Sequence, residues 1–375
     1  MFKKYKLRDF DFRLVLLVLA ASGIGILAVS SADDTYVNKQ IFGVIVGIAV
    51  MLVIAFIDYT WVLKFYWLML PAITGLLAFT TFSDAGESSK GAQRWIEIGP
   101  ITFQPSELAK LVLILFFAQF IMKNRKNINK PTTLMLCGVL LMIPAYLILK
   151  QPDLSTTIVI LVIFCTILFV GGLSWRYIIA AFAIVIPVAG VIVFLAIQPE
   201  ATVLEPHQRQ RILAFIYPEE YADSTAYQQI NAEIAIASGQ LNGKGYKNNE
   251  VTSVKNGRYI LEPHTDFIFA VIGEELGFKG SIILVAVLFS IVLECLYVAY
   301  KAKDTAGRLI AVGVAAWIGF QTFINLGVAT FIIPNTGLPL PFISYGLTSI
   351  VCLYMGIGFV LNVKLQQRKN GEVFL

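Results

Sequence analysis

The chain has 375 residues, 57% of them apolar and 14% charged, whereas an ordinary soluble domain is about a quarter charged. This balance excludes a water-soluble enzyme, disorder, collagen and coiled coil, and at roughly 20 apolar residues per bilayer crossing it predicts about ten crossings with the rest in loops. The net charge of +5 does not point to nucleic acid, because the basic residues cluster at the ends of apolar runs, which is a topology signal.

In chain order the apolar runs cover 12–29, 40–57, 65–82, 106–121, 134–149, 156–172, 177–197, 267–298, 307–330 and 345–363. They predict an all-α polytopic membrane protein, one integral-membrane domain over 1–375. The first run follows Lys3, Lys4, Lys6 and Arg8 and ends in Ala-Val-Ser-Ser-Ala, which has the outline of a signal peptide. Removing it would leave nine spans and spoil the charge alternation, so it is read as a crossing. Counted from a cytoplasmic N-terminus, the inner segments hold Lys3–Arg13, Lys64, Lys123/Arg125/Lys126/Lys130, Arg176, Lys301/Lys303/Arg308 and Lys364/Arg368/Lys369. The short outer loops hold only Lys39, Lys90, Arg94 and Lys150, so 17 basic residues face 4 and both termini are expected in the cytoplasm.

The one long connection, 198–265, is then extracytoplasmic, between helices 7 and 8, and carries 14 of the chain's 53 charged residues (29 basic, 24 acidic). Tyr227, Ile230, Ile234, Ala237 and Leu241 recur in it at helical spacing, predicting a short amphipathic helix against the membrane surface or the bundle. Gly239-Gln-Leu-Asn-Gly-Lys-Gly245 follows, either an anion-binding turn built from its lysine and amides or a plain flexible loop. Cys137, Cys165, Cys295 and Cys352 all lie inside apolar runs, with no disulfide framework and no zinc spacing.

Ionisable groups at membrane depth cost roughly 2.5–3.5 kcal/mol each on insertion scales and mark function by facing a cavity or a partner. In Phe103-Gln-Pro-Ser-Glu-Leu-Ala-Lys110 the proline suits a first helical turn, placing Glu107 and Lys110 three apart on one face, as an ion pair or a cavity wall. Lys90-Gly-Ala-Gln-Arg-Trp-Ile96 sets Arg94 beside Trp95, suited to a phosphate and a lipid or sugar face, or to a membrane-interface anchor. Lys150-Gln-Pro-Asp-Leu-Ser-Thr156 puts Asp153 before span six. In Glu262-Pro-His-Thr-Asp-Phe-Ile-Phe-Ala270, Asp266 stands at the outer start of span eight, as a helix cap or a general base, with His264 two residues away. Pro334-Asn-Thr-Gly-Leu-Pro-Leu-Pro-Phe-Ile-Ser-Tyr-Gly346 predicts a broken helix or re-entrant turn, permissible only where it lines a cavity or is buried in protein. No nucleotide loop, zinc motif or GxSxG elbow is present, so the chemistry is expected on the extracytoplasmic side without ATP.

As an ordered set, Lys90-Gly-Ala-Gln-Arg-Trp, Gln104-Pro-Ser-Glu-Leu-Ala-Lys, Gln151-Pro-Asp-Leu-Ser-Thr, His264-Thr-Asp-Phe-Ile-Phe-Ala, Gly273-Glu-Glu-Leu-Gly and Pro339-Leu-Pro-Phe-Ile-Ser-Tyr-Gly resemble the SEDS family (shape, elongation, division and sporulation). These are the RodA/FtsW-type peptidoglycan polymerases, and the likeness runs over essentially the whole chain. Gln151-Pro-Asp is closer to the elongation branch, since division members often start this motif with Glu. Two departures are Leu347-Thr348-Ser349, where Gly-Ser-Ser or Gly-Ser-Ala is usual, and Gln240 and Asn242, where Gly and Phe are commoner.

The resemblance implies an inverting glycosyltransferase acting on lipid II, a disaccharide-pentapeptide on undecaprenyl diphosphate, at the outer face of a bacterial cytoplasmic membrane. It implies Asp266 as the catalytic residue. Arg94, Trp95, Glu107, Lys110, Asp153, Glu262, His264 and Thr265 would contact or border substrate. No dedicated metal cage is visible, although a divalent cation, Mg or Mn, would suit the diphosphate. The implied protein partner is a class B penicillin-binding protein, a transpeptidase. A flippase for lipid-linked precursors and a non-catalytic organiser of wall synthesis are the rival readings. The concentration of polar groups on one side argues against the flippase, which needs them reachable from both leaflets.

Overall fold

The computed structural model describes residues 9–83, 86–89, 92–98, 101–198, 206–247, 253, 257 and 259–367. Lys3 to Arg8, Lys90, Gly91, Arg368 and Lys369 from the sequence reading lie outside the described residues. The helices are α1 (Phe12–Ala32), α2 (Val37–Phe56), the single turn α3 (Tyr59–Val62), α4 (Tyr66–Phe82), α5 (Pro105–Asn124), α6 (Pro131–Lys150), α7 (Leu154–Val170), α8 (Trp175–Ile197), α9 (Pro206–Ile216), α10 (Tyr227–Ser238), α11 (Ile268–Lys301), α12 (Thr305–Ala329) and α13 (Leu347–Leu365). Among the described residues nine are long and apolar enough to cross a membrane. The tenth predicted crossing, α7, has 17 residues and sits at the short end of the spanning range. Each predicted run coincides with one of these helices.

The sequence reading missed a small sheet between α4 and α5: β1 (Gly86–Ser89), β2 (Ala92–Ile98) and β3 (Ile101–Phe103), antiparallel in the order β1-β2-β3. Ile96 pairs with Phe103 and Ile98 with Ile101, a small sheet added to a helical membrane bundle. Strands this short leave no trace in a search for runs of about 20 apolar residues.

The bundle is centred on α5, α12 and α13, whose buried faces are nearly continuous, while α8 lies at the periphery with its flanks exposed. Without a hydrophobic drive between helices in lipid, close packing depends on small residues. On α2, a Cβ at Gly47 would fall 2.4 Å from the Tyr354 ring of α13, and one at Gly358 of α13 would fall 2.8 Å from the Met51 carbonyl. Asn362 locks the same pair, accepting from the Tyr59 amide at 2.9 Å and donating to the Ala55 carbonyl at 2.7 Å.

The connection between α8 and α11 stands at one end of the bundle, the loop end. There α11 is not continuous. Gly277 takes φ 64° and ψ −161°, a conformation confined to glycine, and breaks the helix one turn past Gly273. The 239–245 segment fills the break: the Lys244 amide donates to the Glu274 carbonyl at 2.9 Å, the Gly245 amide to the Glu275 carbonyl at 3.0 Å, and the Phe278 amide to the Gln240 carbonyl at 2.8 Å. Lys244 pairs with buried Glu274 at 2.8 Å, and Ser31 donates to buried Glu275 at 2.5 Å. The segment is therefore neither the anion-binding turn nor the flexible loop that the sequence suggested. Its amides and its lysine serve the groups that the helix break would leave orphaned.

The amphipathic helix exists as α10, but a different face meets the bundle. Gln229, Ala232 and Ala235 are buried, whereas Tyr227, Ile234, Ala237 and Leu241 are exposed and Ile230 is half-buried. Small side chains let α10 approach α11 closely, where a Cβ on Gly273 would come within 2.9 Å of Ile236.

Candidate functional site

The site is built on backbone that is neither helix nor strand. Between α12 and α13, residues 331–346 run without regular structure yet bury Leu338, Leu340, Phe342, Ile343 and Ser344. Such backbone needs partners at membrane depth, and side-chain amides supply them. Gln321 donates to the Pro339 carbonyl at 2.8 Å, Asn325 to Leu338 at 2.7 Å, Gln229 to Ile333 at 2.7 Å, and Gln40 to Ile343 and Ser344 at 3.3 Å each. The predicted re-entrant turn is thus an irregular segment buried in protein.

That segment clamps the His264–Asp266 main chain. Ser344 Oγ donates to the Thr265 carbonyl at 2.6 Å, the Tyr345 amide to the His264 carbonyl at 2.9 Å, and Asn325 Nδ2 to the Asp266 carbonyl at 2.8 Å. Asp266 itself is half-buried, and a Cβ at Gly337 (φ 73°) would stand 3.3 Å from its Oδ2. Phe267 is the cap residue of α11 and its side chain makes no capping hydrogen bond, so Asp266 lies one position before the cap. Thr265 turns its hydroxyl to the Glu262 carbonyl at 3.0 Å, and Glu262 is exposed. His264 is buried, stacked on Tyr36 with ring centroids 4.2 Å apart and tilted against Tyr345 at 5.8 Å. Burial pushes its imidazole below the usual range, with Asp33 and Glu262 pulling the other way, and its Nδ1 has no hydrogen-bond partner.

Glu107 and Lys110 form the ion pair foreseen from their spacing, Nζ to Oε1 at 2.7 Å, both buried. Lys110 also donates to Gln321 Oε1 at 2.9 Å and lies 5.0 Å from the centre of the Trp317 ring, whose Nε1 donates to that same Gln321 oxygen at 2.8 Å. The pair therefore sits beneath the Asp266 clamp, joined to it through Gln321 and Pro339. With Lys110 at 0% exposure, the pair has no open face in this state.

On the other side, Arg94 of β2 is half-buried and donates through Nε to the Gln151 carbonyl at 2.6 Å and through Nη2 to the Pro152 carbonyl. Gln151 is held in turn by Thr81 Oγ1 at 3.0 Å and the Leu77 carbonyl at 3.3 Å. Asp153 caps α7, accepting from the Thr156 amide at 3.0 Å, and Ser155 donates to the Thr336 carbonyl of the irregular segment. Trp95 is half-buried, its backbone opposite Glu87 in the sheet. Among the described residues no three of His, Cys, Asp and Glu gather in a way that could hold a metal.

Sequence reasoning missed Gln321, Asn325 and Arg211. The two amides were detectable as polar residues four apart in an otherwise apolar span, the spacing of one helix face. Arg211, on α9, lies within electrostatic reach of Arg94, Asp153 and Asp266. Its only signal was position in the basic, Gln-rich stretch that opens α9.

Fold and site together define a polytopic membrane protein with a set of buried and half-buried polar groups at the loop end. The family model for the FtsW/RodA/SpoVE "cell cycle protein" matches residues 10–369, and the chain belongs to that family. It is 33% identical over 362 residues to the peptidoglycan glycosyltransferase MrdB of Escherichia coli K12, covering 95% of this chain and 92% of that one. It is also 33% identical to the probable peptidoglycan glycosyltransferase FtsW of Geobacter sulfurreducens DL-1/KN400, covering 96% of each. Among solved structures, a chain of a peptidoglycan synthase complex that coordinates polymerization and crosslinking superposes with TM-score 0.78 at 29% identity, covering 95% of this chain and 97% of that one. The rod shape determining protein RodA of Thermus thermophilus gives TM-score 0.70 at 27% identity, covering 96% and 98%.

Proposed function

We propose that this peptidoglycan glycosyltransferase polymerises lipid II at the outer face of the cytoplasmic membrane, with Asp266 acting on the acceptor. The GlcNAc 4-hydroxyl of one lipid-linked chain attacks the anomeric carbon of the other's MurNAc. The bond to the lipid diphosphate breaks as the new C–O bond forms, and the hydroxyl proton leaves. An α-linked donor giving a β-1,4 product inverts in one displacement, so one carboxylate that takes or orients the proton and cations that stabilise the leaving diphosphate suffice. The observation that carries this reading is the Asp266 carboxylate itself, half-buried on a main chain pinned at three consecutive residues.

Arg94 serves the diphosphate, Trp95 the lipid or sugar, and Asp153, Glu262, His264 and Thr265 border the same space. Glu107 and Lys110 support it from beneath. A resident Mg or Mn cage does not fit the donor set, because Asp153 caps a helix and Asp266 has Arg211 within electrostatic reach. A divalent cation would instead arrive with the diphosphate. The long connection and the site face outward and both termini inward, by the excess of basic residues in the opposite segments. The protein partner is a class B penicillin-binding protein that crosslinks the product, and the surrounding lipids carry the substrate.

Gln151, the residue that resembles the elongation branch, donates to Thr81 and the Leu77 carbonyl, contacts that an ionised glutamate could not make as a donor. The test is purified protein, with and without the transpeptidase, given labelled lipid II. Glycan polymer is expected; none under either condition, with transbilayer movement of lipid II instead, would favour the flippase.

A further inference from the structure

We infer that Tyr36, in the turn between α1 and α2, is a positioning residue for the proposed transfer: its ring holds His264 and, through two residues of backbone, aims Asp266. This rests on the lipid II reading above. The hydrogen bonds that clamp residues 264–266 all come from α12 and the segment after it, through Asn325, Ser344 and Tyr345. Each of those bonds ends on a carbonyl. What they leave free is the His264 side chain.

That side chain is held by rings. Its Nδ1 is buried without a hydrogen-bond partner, so ring contacts set the orientation of the imidazole. The three centroids form a triangle, with Tyr36 4.2 Å from His264, Tyr36 4.6 Å from Tyr345, and His264 5.8 Å from Tyr345. Both short sides belong to Tyr36. Its ring lies within 18° of parallel to the imidazole, whereas Tyr345 is tilted by 60°. Deleting the Tyr36 ring therefore leaves His264 with the longest and most tilted of the three contacts.

Tyr36 is itself fixed in place. The Asp33 carboxylate accepts from the Thr35 amide at 2.9 Å and the Thr35 hydroxyl at 2.7 Å, which closes the turn. The helices on either side are both seated on the irregular segment just before Tyr345. A Cβ at Gly25 of α1 would fall 2.7 Å from the Phe342 carbonyl oxygen, and Gln40 of α2 donates to Ile343 and Ser344. The turn is thus braced against the same segment that clamps the Asp266 main chain. The stack removes the freedom that three carbonyl bonds leave at the His264 end, and small misplacements of a reacting group cost rate.

The test uses the full chain in nanodiscs with labelled lipid II and the transpeptidase partner, comparing Tyr36→Leu, Tyr36→Met and Tyr36→Phe at matched melting temperatures. Losing the ring is expected to lower kcat about five- to tenfold with KM within about twofold, and Tyr36→Phe, which keeps the ring, to restore kcat. The chain has two histidines, so His207→Gln leaves His264 as the single imidazole for an NMR titration that does not depend on turnover. The groups around that imidazole are Asp33, Tyr36 and Lys39 of the turn and α2, Tyr345 of the irregular segment, and Glu262 and Asp266 of its own stretch. Burial holds it below the usual range, so opening one face to water in Tyr36→Leu should move its titration up toward that of an ordinary histidine, and Tyr36→Phe should not. Wild-type kcat in the Leu and Met variants, a rise in KM alone, an equal loss in Tyr36→Phe, or an unmoved titration would overturn the inference. If wild type makes no glycan, the lipid II reading fails, and the titration alone decides whether Tyr36 holds His264.

Discussion

An ammonium at membrane depth persists only with partners, and Lys110 has Glu107, Gln321 and the face of Trp317. Removing one member of a buried pair leaves the other charge uncompensated, at about 3–5 kcal/mol. Lys110→Met should therefore lower the melting temperature of the detergent-purified protein sharply, and adding Glu107→Gln should recover much of it. A single substitution that melts like wild type would show that the pair does not hold the bundle together. The pair was legible because a spacing of three puts two residues on one helix face. Gln321 was not, since its contact spans 211 residues of sequence and nothing local announces it. Asp266 was legible as chemistry but ambiguous as geometry: Asp before a helix reads as a cap until Phe267 is seen to take that place.

At the scale of elements, apolar runs located all ten long helices because a crossing needs a stretch that no other requirement produces. What they hid was discontinuity. Gly273-Glu-Glu-Leu-Gly277 looks like helix in the sequence, and only the backbone reveals the break and the 239–245 segment that heals it. Replacing Gly277 by alanine forces a glycine-only conformation and sets a Cβ 2.3 Å from the Gly243 amide nitrogen, both against backbone that cannot yield cheaply. The expected loss is at least about 1–3 kcal/mol, seen as a lower melting temperature and faster protease cleavage within 239–245. An unchanged cleavage rate would mean that the clamp is not needed. The α10 face was misread for a related reason. Apolar spacing marks a stripe without saying what covers it, and close approach to α11 selects Ala232 and Ala235 over the larger Ile234.

For the whole molecule, charge asymmetry and fold make one claim about sidedness. A Ser224→Cys variant, in the exposed turn before α10, should react with a membrane-impermeant maleimide in intact spheroplasts. Lys126→Cys, in the exposed turn after α5, should react only after permeabilisation. The reverse pattern would invert the topology. The four native cysteines all lie within helices and give little background. On that topology, the proposed centre of pinned Asp266, the buried irregular segment that clamps it and Arg94 of β2 would face outward. The most direct measurement is glycan formed from labelled lipid II by wild type and by Asp266→Asn, each with the transpeptidase partner and with matched melting temperatures. Polymer from wild type and none from the variant is the result predicted here; equal polymer from both would remove Asp266 from the chemistry and contradict the account.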